Sequence, residues 1–112
     1  TLVFDEVDAG VSGRAAQKLG EKLYAISQRA QVICITHLPQ VAAMADRHFQ
    51  IEKQVEDGRT RTHVVLLDDS DRARELARSL GGAQITDLTI QNAQELMKQA
   101  QEVKAHIREG MA

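Results

Sequence analysis

Two adjacent carboxylates, Asp5 and Glu6, close the apolar run Thr1-Leu2-Val3-Phe4, and His37 closes a second run, Val32-Ile33-Cys34-Ile35-Thr36. An apolar run of this length reads as a strand buried on both faces, and the carboxyl ends of such strands are where open α/β sheets place their ligands. Two acids in that position suit nucleotide hydrolysis. One carboxylate holds Mg²⁺ directly or through water while its neighbour polarises the water that attacks a γ-phosphate. The competing structural reading is a strand running into an acidic surface loop, since short patterns match by chance. His37 weighs against it: if the two strands are parallel neighbours, their ends share one sheet edge and His37 meets the acid couple across about thirty residues of chain.

The elements that would position these groups follow from periodicity. Asp8-Ala9-Gly10-Val11-Ser12-Gly13 is turn-rich, with Ser12 a candidate cap for a helix whose apolar stripe is Ala16, Leu19, Leu23 and Ile26, weakened modestly by Gly20. Strand, helix and strand with near-continuous apolar runs predict a right-handed parallel crossover. Leu38-Pro39 opens a short helix through about Ala45, Pro being tolerated in a first turn. Residues 48–54 and 60–67 read as strands joined by the hairpin signal Glu56-Asp57-Gly58-Arg59. Ser70 can cap a helix carrying Ala73, Leu76, Ala77 and Leu80, stopped by Gly81-Gly82. Ile90, Ala93, Met97, Ala100, Val103 and Ile107 define a long terminal amphipathic helix. The expected fold class is α/β, parallel strands plus a β-hairpin with flanking helices, as one domain over 1–112 divided into an α/β part (1–46), a hairpin (47–68) and C-terminal helices (69–112).

Composition bounds the function. At 112 residues with 43% hydrophobic content, the chain is of single-domain size and can build a core. With 3% aromatics and no Trp, that core is expected to be aliphatic. A formal charge of -2 argues against a self-contained polyanion binder, so any DNA contact is local or shared. The single cysteine, Cys34, excludes an internal disulfide and reads as a small buried hydrophobe. No apolar stretch approaches the roughly eighteen residues of a membrane span and no basic leader precedes one, so a cytoplasmic location and no membrane partner are expected. The chain starts without Met inside a strand pattern, and Thr1 is expected to be a fragment boundary.

Weaker signals take the plain reading. Arg74 and Arg78, four apart on a helix, read as solvated rather than as DNA contacts. Arg59, Arg61 and His63 alternate along a strand, where edge charges block unwanted pairing. His48, His63 and His106 lack metal-ligand spacing.

Leu2-Val3-Phe4-Asp5-Glu6 resembles the Walker B strand of ABC-type ATPases, Asp8-Ala9-Gly10 their D-loop, and Thr36-His37 their switch histidine. More narrowly, Asp5 to Gly13 together with Ile35-Thr36-His37-Leu38-Pro39-Gln40-Val41-Ala42 is similar to the C-terminal part of the SMC-like bacterial DNA-repair ATPases, over essentially the whole chain. Structural-maintenance proteins generally carry Leu-Asp after the Asp-Ala dipeptide. Gly10-Val11-Ser12-Gly13 here favours the repair branch.

That resemblance implies the C-terminal lobe of an ABC-type head, a P-loop NTPase-like fragment working with ATP and Mg²⁺ in double-strand-break repair and recombination. Asp5 would support the magnesium, Glu6 would orient and deprotonate the attacking water, and His37 would contact the γ-phosphate. Asp8, Ala9 and Gly10 would line the contact with a second head in an ATP-dependent dimer. The sequence holds neither a Gly-x-x-x-x-Gly-Lys-Ser/Thr loop nor a Ser-Gly-Gly signature. The implied partners are therefore an N-terminal ATPase lobe of the same protein and DNA reached through the full-length molecule. Alone, the chain is expected neither to bind ATP tightly nor to hydrolyse it. The missing neighbour of the switch-histidine strand leaves an open edge, for which homo-oligomers of the isolated chain are expected. The alternatives are a non-enzymatic interaction module on a nucleotide-binding scaffold, or another ABC-type head.

Overall fold

The computed structural model describes residues 1–5, 10, 13–81 and 84–111. Its elements are β1 (Leu2–Asp5), α1 (Gly13–Ser27), β2 (Val32–Ile35), α2 (Pro39–Ala42), β3 (Phe49–Glu56), β4 (Arg59–Leu66), α3 (Asp69–Gly81) and α4 (Asp87–Met111). β1 and β2 pair in parallel and β3 and β4 form a separate antiparallel pair. The chain is thus α/β, with a parallel strand pair, a hairpin and flanking helices.

Local chemistry accounts for the turns and caps. The hairpin closes through Asp57 and Gly58, both at positive φ (50° and 74°), the two-residue connection whose twist matches the flanking strands. Asp68, not the expected Ser70, caps α3: its Oδ1 accepts from the Asp71 N–H at 2.7 Å. A carboxylate one residue before the helix reaches the orphan N–H that Ser70, already inside the first turn, cannot. α4 is capped reciprocally, Thr86 Oγ1 accepting from the Thr89 N–H at 3.2 Å and Thr89 Oγ1 from the Thr86 N–H at 2.8 Å. Ser12 lies outside the described residues.

The helices make the core. Tyr24 from α1, Ala43 and Met44 after α2, Leu76 and Ala77 from α3, and Ala93 and Ala100 from α4 form one buried cluster, against which Ile90, Met97, Val103 and Ile107 pack. α1 buries Ala16, Gly20, Leu23 and Tyr24, whereas Ile26 of the expected stripe is exposed. Gly20 has a positive role: a Cβ there would stand 3.1 Å from Met44 Cγ and 3.3 Å from the Gln40 carbonyl, so its absence lets α1 and α2 meet.

The strands depart from expectation. β1 and β2 are not buried on both faces: Val3 is 63% exposed, and Leu2, Ile33 and Ile35 are exposed too. Phe4, Val32 and Cys34 are half-buried on the face toward α1. In the hairpin, Phe49, Ile51, Val55, Val64 and Leu66 share one face by register and all are exposed. Two-stranded units have too few neighbours to cover both faces, so the β-branched residues expected in the core stand on open sheet instead. The accessible surface, 7861 Å², exceeds the roughly 6,100 Å² of a compact monomer of this mass. The radius of gyration, 14.9 Å, exceeds the roughly 13 Å expected for this length.

Candidate functional site

β1 ends at Asp5, whose direct partner in the parallel ladder is Ile35, the last residue of β2. His37 follows two residues later, so the carboxylate and the imidazole leave the sheet at a common edge, and both are exposed. Thr36 Oγ1 accepts from the Leu38 N–H at 3.0 Å, bending the chain around His37, and the Leu38 carbonyl accepts from the Val41 and Ala42 N–H groups to start α2. Gly10 is exposed with φ +77°. Glu6, Asp8 and Ala9 lie outside the described residues. The structure therefore brings Asp5 and His37 to one rim.

An exposed carboxylate at a strand end is an oxygen donor of the kind that holds magnesium while the ion keeps waters and takes phosphate oxygens, so Asp5 fits that ion. Among the described residues no group of three or more His, Cys, Asp or Glu converges as a metal cluster.

The other end of α2 carries groups that sequence reasoning missed. Arg72 of α3 is buried, and its Nη2 donates toward the carbonyls of Ala42 at 3.3 Å, Ala43 at 3.4 Å and Ala45 at 3.2 Å. Lys104 of α4, also buried, donates to the Ala45 carbonyl at 3.2 Å and pairs with Asp46 Oδ1 at 2.9 Å. Its Nζ lies 5.1 Å from the centroid of the Tyr24 ring. A signal existed in the spacing: Arg72 sits four residues before Leu76 and Lys104 four after Ala100, on the buried stripes of their helices. Burial pulls the Arg72 guanidinium down from its ordinary value, opposed by Asp69 and Asp46. Burial, and then Arg72, push the nearby His48 imidazole below its usual value, with Glu75 opposing.

The arginines singled out by sequence stand at the surface, as expected. Arg74 is exposed. Arg78 pairs with Glu75 one turn back, an ion pair that raises its pKa first through the hydrogen bond and then through charge. Arg61 and His63 both face Glu56, at 3.7 and 3.9 Å. No helix among the described residues is long and apolar enough to cross a membrane.

Open α/β sheets place their ligands outside the carboxyl ends of their strands, and that is the end at which Asp5 and His37 stand. Comparison with known proteins narrows the class. The chain is 53% identical over 104 residues to the DNA repair protein RecN of Bacillus subtilis, 93% of this chain and 18% of that protein. It is 48% identical over 106 residues to the RecN of Halalkalibacterium halodurans and 47% identical over 97 residues to that of Haemophilus influenzae, covering 95% and 87% of this chain and 19% and 17% of those proteins. Over this stretch the chain belongs to the RecN family. It spans about a fifth of the length of the relatives it matches. No protein-family model matches it.

Proposed function

We propose that this chain is the C-terminal lobe of an ABC-type ATPase head in a RecN-type DNA repair protein, supplying the Walker B acids Asp5 and Glu6, the D-loop Asp8 to Gly10 and the switch His37. The observation that carries this reading is the parallel register of Asp5 on Ile35, which delivers His37 to the rim where Asp5 stands. The open apolar faces and the excess surface support its being one lobe of a larger head.

In this reading Glu6 orients a water and takes its proton as the water oxygen bonds to the γ-phosphorus of ATP. The bond from that phosphorus to the β–γ bridging oxygen breaks, ADP leaves, and the proton is returned to bulk water. His37 binds a γ-phosphate oxygen and holds that group in line. Asp5 would hold magnesium, which supplies positive charge against the β- and γ-phosphate oxygens. The phosphate cradle comes from an N-terminal lobe, Asp8 to Gly10 meet a second head, and DNA engages the full-length molecule. ATP then acts as a dimerisation switch in the cytoplasm.

The test is a chimera of Bacillus subtilis RecN in which the matched stretch is replaced by this chain. Glu6→Gln is expected to lower ATP turnover by about 10²–10⁴ while leaving nucleotide binding intact. Unchanged turnover would remove Glu6 as the base and favour an interaction module.

A further inference from the structure

We propose that Arg72 and Lys104 are positioning residues for His37, acting through α2; the inference rests on the reading of His37 as a phosphate contact. α2 is four residues long, one turn, and a lone turn does not hold itself because helix nucleation is unfavourable. Its last two carbonyls, of Val41 and Ala42, accept from the Met44 and Ala45 N–H groups, and the carbonyls at this end carry the negative end of the turn. Arg72 donates toward three of the carbonyls around that end, and Lys104 reaches the same Ala45 carbonyl from a different helix.

Burying two cations is a poor way to gain stability alone, since well-packed apolar side chains in such places are often neutral or better. What cations give here is a fixed position for a specific set of carbonyls. From there to the rim the linkage is continuous. The Ala43 and Met44 N–H groups return to Pro39 and Val41, the Leu38 carbonyl anchors Val41 and Ala42, and Thr36 Oγ1 holds the Leu38 N–H on the far side of His37. Gly20 seats the turn against α1. The imidazole is thus set by two cations on α3 and α4, at the opposite end of the turn from the rim.

The same chimera tests this. Arg72→Met is expected to lower kcat at least about tenfold, as displacement of a contacting group does, with KM changed by less than about twofold. Arg72→Lys should recover part of the loss. In a His37→Ala background Arg72→Met should cost nothing further, because the group it positions is already gone. Equal losses in both backgrounds would mean a merely structural role and would overturn the proposal alone. A His37→Ala protein with unchanged turnover would overturn the phosphate-contact reading, and the proposal with it. Should Arg72→Met fail to fold, Lys104→Met, which leaves the three Arg72 contacts in place, carries the same comparison.

Discussion

Lys104 Nζ stands 2.9 Å from Asp46 Oδ1, tying the C-terminal half of the terminal helix to the segment that follows α2. The lysine is only 3% exposed while the aspartate side chain is largely open, so the pair is half in water and half in the core. Replacing Lys104 by Met keeps the stem and removes the donor from the Ala45 carbonyl. The expected cost is about 1–3 kcal/mol, read from urea denaturation of the 112-residue chain. Asp46→Asn, which leaves the carbonyl contact and the Tyr24 ring in place, should cost at most about 1 kcal/mol.

Gly20 separates two opposing effects. Ala in a helix interior gains about 1 kcal/mol over Gly, but here the new methyl meets Met44 and the Gln40 carbonyl. Gly20→Ala is expected to leave stability within about 1 kcal/mol. Gly20→Val, which adds bulk that the Gln40 backbone cannot yield to, should cost about 1–3 kcal/mol. Thermal unfolding of the two variants distinguishes the squeeze from propensity.

His48 predicts a pH dependence. Its folded pKa lies below the ordinary 6.5 because of burial and then Arg72, so the unfolded chain takes up the proton first. Stability is fully present above 6.5 and falls as pH drops through 6.5 toward the lower folded value. Denaturant midpoints measured between neutral and mildly acid pH should fall for the parent protein and fall less for His48→Gln. Equal slopes would show that His48 is not the group responsible.

The exposed faces predict self-association. Val3, Ile33 and Ile35 lie on one face of a strand pair whose two edges have no further strand among the described residues. Light scattering at tens of micromolar is expected to give a dimer or larger, and Val3→Lys with Ile33→Lys to shift it toward monomer. A monomeric parent protein would contradict this.

Features encoded within a few residues were readable in the sequence. Asp57-Gly58 announces its own turn, and the apolar runs ending in Asp5 and His37 imply their parallel pairing and shared rim. What failed depended on neighbours. Strand burial needs covering layers that a pattern of Val and Ile cannot specify, so Val3 and Ile33 emerged exposed. Ser70 and Asp68 are both competent caps, and only the backbone decides which stands outside the helix. Arg72 and Lys104 carry only a spacing signal, because the carbonyls they serve belong to a segment distant in sequence.

The most direct measurement is nucleotide binding and turnover by this chain mixed with the separately purified remainder of a RecN-type protein. ATP binding should appear only on mixing, and His37→Ala or Asp5→Asn should each lower turnover by the mixture at least about tenfold. Turnover by the mixture that neither substitution changes would contradict the assignment of this rim to ATP chemistry.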